Sequence, residues 1–171
     1  MHLHRLSASD TPWLPALTAL LQETVDGGAS IGFLAPLAAD EAHAYWQGIL
    51  ENLDDLLQCW IVEDDGQLLG TVQLSRCGKA NGRHRAEVQK LMVATAARGR
   101  GIARRLMDGV EADAAPTGIT LLVLDTLKGS AAETVYQRLG WTRAGQIPDF
   151  ALHPYGGLAP TVLFWKRLAS T

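Results

Sequence analysis

The chain has 171 residues, 47% of them hydrophobic and 19% charged, with a formal net charge of -3. That length suits a single domain over residues 1–171 with one core, and the acidic balance excludes the basic stripe of a dedicated nucleic-acid binder. No apolar run approaches the roughly 18 residues needed to span a bilayer, and the first ten residues lack the apolar stretch of a secretory leader. A cytoplasmic protein with no membrane partner is therefore expected. Cys59 and Cys77 each lie within an apolar run, which excludes a disulfide scaffold and a cysteine-rich zinc site. His2 and His4 sit near a terminus expected to fray, and His43 and His84 have no partner at ligand spacing, so no metal is expected.

Thr11-Pro12 predicts a helix start, with a hydroxyl cap and a proline in the first turn. Trp13, Leu14, Leu17, Leu20 and Leu21 follow at helical spacing until Asp26-Gly27-Gly28. A second amphipathic helix is expected over residues 38–53, with Ala42, Tyr45, Trp46, Ile49, Leu50 and Leu53 on its apolar side. Cys59-Trp60-Ile61-Val62 reads as a strand, Asp65-Gly66 as a hairpin turn, residues 68–77 as a second strand and 86–93 as a third. A glycine-arginine loop at 98–101 leads into a helix burying Ile102, Leu106, Val110 and Ala114. Residues 119–124 form a near-continuous apolar run, as in a strand buried on both faces. Strand, helix, strand in this order predicts a parallel pair joined by a right-handed crossover. Ser130-Ala131-Ala132-Glu133 has the form of a capping box, opening a helix that ends at Gly140. Two more strands are expected over 141–146 and 161–166, with a loop rich in proline, glycine and aromatics between them.

The strongest motif is Arg98-Gly99-Arg100-Gly101-Ile102-Ala103, placed between a strand and an amphipathic helix. Glycines let the backbone approach an anion, and a helix N-terminus offers unpaired N–H groups and the positive end of a dipole. Arg98 and Arg100 add charge suited to a pyrophosphate, whereas Arg104 and Arg105 fall on the solvent face. A tight turn with solvated arginines is the plain alternative.

Arg98, Gly101 and Ala103 form the string R-x-x-G-x-A, which resembles the coenzyme A signature of the GCN5-related N-acetyltransferase (GNAT) family. Ala132, Tyr136 and Gly140-Trp141 resemble that family's A-x-x-x-Y-x-x-x-G-aromatic helix. Its order of elements also matches, so the resemblance covers most of the chain. It implies an α/β fold with a mixed, largely antiparallel sheet, one central parallel strand pair and helices on both faces. It further implies acetyl-CoA as co-substrate, held by Leu91, Met92, Val93, Arg98, Gly99, Arg100, Gly101, Ile102, Ala103 and Thr126. The backbone amides of 91–93 are the expected partners of the pantetheine arm and the acetyl carbonyl, while the side chains of 90–93 read as core. The implied acceptor is a small-molecule amine, in particular an amino-acid-like toxin or antibiotic, and a homodimer is compatible with the resemblance. Many family members carry an asparagine seven residues before the helix tyrosine. Here that position is Gly129, and its task falls to Thr126, Ser130 or the backbone.

Amine acetylation requires that the amine lose a proton, that the thioester carbonyl be polarised and that the leaving thiolate be protonated. The resemblance makes Glu87 and Asp125 catalytic carboxylates and Tyr136 the proton donor. Asp125 ends the parallel strand, where ligands of such sheets sit. On spacing alone these residues also read as a surface glutamate, a strand-end turn residue and a core aromatic. Ser30, Phe33 and Asp149 are the expected acceptor contacts, with His153 in the same late loop. Two rival functions remain. One is a catalytically silent coenzyme A-binding regulatory domain. The other is a serine hydrolase, since Gly28-Ala29-Ser30-Ile31-Gly32 matches G-x-S-x-G and Ser30, Asp125 and His153 follow the hydrolase order. That elbow, however, needs a strand before it and a helix after it.

Overall fold

The computed structural model describes residues 1–169. Four helices and seven strands follow in the order β1 (His2–Arg5), α1 (Leu14–Asp26), α2 (Ala39–Glu51), β2 (Leu57–Asp64), β3 (Gln67–Arg76), β4 (Arg85–Val93), α3 (Ile102–Ala114), β5 (Leu121–Leu127), α4 (Ala131–Arg138), β6 (Thr142–Leu152) and β7 (Leu158–Arg167). They form one sheet in the order β1-β2-β3-β4-β5-β7-β6. Every neighbouring pair is antiparallel except β4 and β5, which run parallel. The expected mixed sheet with one central parallel pair is what the chain forms.

Two cores flank this sheet, and strand alternation explains them. In β2, Cys59 and Ile61 point to one face and pack with Leu17, Leu21, Trp46 and Leu50 of α1 and α2. Trp60 and Val62 point to the other face and pack with Leu106, Met107 and Val110 of α3. Tyr136 of α4 joins this second core, beside Trp141 and Phe164 with ring centroids 6.0 Å away. The β2–β3 turn uses Asp65 and Gly66 with φ of 48° and 76°, the left-handed pair of a tight hairpin.

The predicted boundaries need four corrections. The N-terminus is not frayed: residues 2–5 pair with β2 as an edge strand. Thr11 does not cap α1 through its side chain; residues 11–13 form a 3-10 turn that runs into it. The capping box at α4 forms only in part, because Ser130 makes no side-chain cap bond and Glu133 instead accepts the Gly129 N–H at 2.8 Å. Finally, the late loop is mostly hairpin, with β6 and β7 extending through it around a register shift between Ile147 and Ala151.

The feature that shapes the site lies in β4. Gln73 pairs with Gln89 and Thr71 with Met92, so Val72 faces two residues, Lys90 and Leu91. This is a β-bulge, and Lys90 adopts φ 51° within it. The extra residue reverses the alternation: Val88 packs in the α3-side core but Met92 in the α1–α2 core. The β4–β5 ladder contains Arg85↔Leu121, Ala86↔Leu122 and Glu87↔Val123 and then stops. Beyond Glu87 the two strands separate, and the β5-facing edge of β4 has no strand partner.

Gly70 of β3 lets α3 sit close behind the bulge. A Cβ there would lie 2.7 Å from the Met92 carbonyl oxygen and 3.0 Å from Ile102 Cγ2. Gly70→Ala is therefore expected to cost about 1–3 kcal/mol by overpacking, read as a lower Tm in thermal denaturation. Gly109→Ala is the control. Its Cβ meets only the end of the Leu3 side chain, which can rotate, and the helix gains about 1 kcal/mol in propensity. A Gly70→Ala protein as stable as wild type would show that the backbone approach is not tight.

Candidate active site

Two cavities open where β4 and β5 part. The larger, about 540 Å³, runs along the free edge of Leu91, Met92 and Val93 to the loop preceding α3. Gly99 and Gly101 adopt φ of 77° and 80°, and a Cβ on either would meet no protein atom within 4 Å. Their glycines therefore serve backbone conformation and open space, not packing. Gly101 caps α3 without any side-chain bond. The first return to a helical carbonyl is Arg105 N–H to Gly101 O, at 3.0 Å. The N–H groups of Ile102, Ala103 and Arg104 thus have no intrahelical partner, and the positive dipole end faces the groove. Leu91, Met92, Val93, Arg98, Gly99, Gly101, Ile102 and Ala103 all line this cavity. Arg100 does not. Asp64 draws it away, with 3.6 Å between guanidinium and carboxylate, so Arg98 is the loop's one arginine at the groove. Arg104 and Arg105 are solvent-exposed, as expected.

The second cavity, about 350 Å³, lies between the loop after α1 and the parted strand ends. Glu87 and Asp125 both line it. Glu87 occupies the last paired position of β4. Asp125 lies two residues beyond the matching point on β5, and its carboxylate accepts the Thr161 hydroxyl at 2.7 Å. Thr126 lines this cavity and not the groove, with its hydroxyl 3.4 Å from that of Ser130. Ser30 also lines it. Phe33, an expected acceptor contact, does not line it; its ring packs edge-on against Tyr45 at 5.1 Å and lies under the Lys90 ammonium. Asp149 is exposed on the β6 bulge, and only its neighbours Phe150 and Ala151 reach the cavity.

The cavities meet at Tyr136, which lines both and is 7% exposed. Burial first, and then the negative charge of Asp125, raises its phenol above the usual tyrosine range. A phenol so raised stays protonated throughout the neutral and mildly alkaline range. Its hydroxyl has no hydrogen-bond partner among the described residues, so its proton is free for a ligand at the junction.

Sequence reasoning missed one member of the site. Lys90 was read with its neighbours as core, but the bulge turns its side chain into the second cavity. Its ammonium lies 5.7 Å from the Phe33 ring centroid and 5.9 Å from that of Tyr45. Burial lowers its pKa, against the opposing pull of the Asp125 and Glu87 charges. The break in alternation at Lys90-Leu91-Met92-Val93 is the signal that marks the bulge.

Other candidates fall away from the site. Ser30 follows helix α1 and a turn, not a strand, and His153 Nδ1 is engaged by the Tyr155 N–H at 3.2 Å, so no nucleophile elbow is formed. Cys59 is buried, and burial pushes its thiol up to about 12. Cys77 is only partly buried and is shifted the other way. The Lys79 backbone and Arg85, whose guanidinium is 3.4 Å from its sulfur, lower its pKa. It lines neither cavity. Among the described residues no group of three or more His, Cys, Asp or Glu is placed to hold a metal ion. No helix there is long and apolar enough to cross a membrane.

A seven-stranded sheet parted beside its one parallel pair, with a glycine loop feeding a helix at the opening, defines an acyltransferase-type fold. The family model for GNAT acetyltransferases matches residues 19–141, and the chain belongs to that family. It is 31% identical over 125 residues to an N-acetyltransferase encoded between hisH and hisA in Azospirillum brasilense, covering 72% of this chain and 73% of that one. A GCN5-related N-acetyltransferase of Kribbella flavida superposes with a TM-score of 0.77 at 25% identity, covering 97% of this chain and 98% of the other. The yncA protein of Salmonella typhimurium, solved with acetyl-CoA as its cofactor, superposes with a TM-score of 0.77 at 18% identity over 100% of this chain and 96% of its own.

Proposed function

We propose that the protein transfers an acetyl group from acetyl-CoA directly to the amine of a small, amino-acid-like molecule of the toxin or antibiotic kind, within a ternary complex. The carrying observation is the junction at Tyr136: a loop-and-strand groove on one side, a cavity bearing two carboxylates on the other. The groove fits acetyl-CoA in its chemistry. Uncapped helical N–H groups, two left-handed glycines and Arg98 suit a pyrophosphate, and the unpaired edge of residues 91–93 suits an extended amide-bearing arm. When bound, acetyl-CoA supplies a thioester acetyl group open to attack by an amine.

The chain's own residues supply the rest. Glu87 and Asp125 hold a cationic amine and take up the proton it must lose. The Leu91–Val93 amides are aimed at the edge where carbonyl charge develops. Tyr136, held protonated by its environment, gives its proton to the departing sulfur. Gly129 stands where many family members have asparagine, and the Ser130 and Thr126 hydroxyls beside it take that polar task. Neither cysteine is placed to carry an acyl group, which favours direct transfer. The acceptor class rests on residues 23–25, 27–30, 85–93, 98–101 and 124–126, which resemble the tabtoxin resistance acetyltransferase. Ile147, Phe150, Leu152 and Leu158, exposed on the β6–β7 hairpin, support a homodimer through that face.

Thiol release from acetyl-CoA across a panel of amino acids, β-lactam amino acids, aminoglycosides and peptide N-termini tests the activity. Coenzyme A binding without turnover of any amine would leave a silent binding domain. Gly101→Ala should cost at least tenfold in coenzyme A affinity by calorimetry, because a Cβ would enter the space beside the helix N-terminus; unchanged affinity would remove the phosphate assignment. Glu87→Gln and Asp125→Asn should lower kcat by about 10²–10⁴-fold with acetyl-CoA affinity nearly unchanged. Tyr136→Phe should lower kcat and recover partly with a thioester of a more acidic thiol, and in wild type, where burial raises the phenol, no loss of rate from its ionisation should appear below about pH 10. Equal kcat on both thioesters would end the proton-donor role. Sedimentation should give twice the chain mass, with Phe150→Glu shifting it to monomer; a monomeric wild type would reject the dimer.

A further inference from the structure

The acceptor cavity contains one cation and two anions: Lys90 against Glu87 and Asp125. Lys90 is the unusual member. A lysine drawn out of water is normally neutralised by a carboxylate, because an unpaired buried charge is costly. Yet among the described residues no carboxylate oxygen lies within 4.0 Å of its ammonium, and it donates no hydrogen bond. Aromatic faces hold it instead. Phe33 and Tyr45 stand 5.7 and 5.9 Å from Nζ, within the range of cation–π attraction. Tyr45 is itself fixed by donating to Gln73 Oε1 at 3.0 Å. On the loop side the chain comes close without offering a counter-charge: a Cβ on Gly32 would be 3.4 Å from Nζ. The backbone supports this placement at some cost, since Lys90 is a non-glycine residue held at φ 51° by the bulge. The result is a charged group fixed in position with its donors unspent.

Resting on the acetyltransferase reading, we propose that Lys90 is the anion-binding residue of the acceptor site and selects amines that also carry a carboxylate. The arrangement is dipolar. The reacting ammonium faces Glu87 and Asp125 beside Tyr136, and the acceptor's carboxylate completes the shell of Lys90 under Phe33 and Tyr45. An amine without the acid would leave that cation unpaired after water is displaced, which is where discrimination against a missing partner becomes large. Lys90 is thus a specificity residue that touches the acceptor away from the reacting nitrogen.

The test reads binding apart from chemistry. The coenzyme A-loaded enzyme is titrated calorimetrically with the N-acetyl forms of the common α-amino acids and with their carboxamides, which differ only at the acid. At least one acid should bind wild type about 10–100-fold more tightly than its amide, the range for a charge-assisted bond. Lys90→Met should remove that advantage by weakening the acid alone, and Lys90→Arg should retain most of it. No acid preference in wild type, an acid preference that survives in Lys90→Met, or equal weakening of acid and amide would each overturn the proposal. The wild-type comparison needs no variant to fold. Turnover of the matching free amino acids with acetyl-CoA then reads the acetylation separately. Lys90-dependent acid binding without turnover keeps the anion site and rejects the reaction; turnover without acid preference does the reverse.

Discussion

The site depends on one extra residue in β4. Opposing Val72 with both Lys90 and Leu91 interrupts regular pairing in the middle of a sheet, where an unbroken ladder would be the stable outcome. β4 and β5 share only three register pairs, and the gap beyond them is the space in which both cavities lie. The same bulge moves Met92 to the α1–α2 core and leaves the edge of 91–93 without a partner strand. A buried sheet edge is normally a liability; here it faces a groove that an extended ligand can fill. Gly70, by admitting Ile102 and Leu106 of α3 close to its backbone, keeps the helix and its glycine loop at the mouth of that groove.

Charge is divided between the two cavities. The groove gathers donors that are fixed by backbone geometry: the capless first turn of α3 and the strand edge. The smaller cavity holds side-chain charges of both signs within a small volume. Tyr136, between them, is uncharged and desolvated. Its raised pKa follows from burial and from the nearby carboxylate of Asp125, so the charge in one cavity helps keep the phenol at the junction protonated. Thr161 holds Asp125 in place from β7, which ties this coupling to the sheet and not to a loop.

The sequence carried much of this arrangement where periodicity is strong. α1, α2, α3 and the β2–β3 hairpin follow from apolar spacing and from Asp65-Gly66, and the loop before α3 from glycines set between strand and helix. β1 escaped because four residues of His-Leu-His-Arg carry no period; only pairing with β2 makes them a strand. The β6–β7 hairpin was shortened because Pro148 and two glycines read as loop, whereas the register shift accommodates them. The bulge is harder still: the alternation of β4 breaks at Lys90, but only the count against β3 shows that the break is an extra residue. Lys90 was therefore placed on the wrong side of β4. Glu87, Asp125 and Tyr136 needed the family resemblance, because spacing alone gives each of them an ordinary structural reading.

The two edges of the sheet bear on how the protein behaves when crowded. β1 spans four residues and carries two histidines and an arginine, too short and too polar to template a foreign strand. β6 is eleven residues long, but Pro148 lacks a donor and Asp149 turns to φ 51°, so its ladder edge is interrupted midway. Strand addition at either end is blocked. Phe150 and Leu158 therefore stand exposed beside a ladder edge that offers no continuous template for a foreign strand.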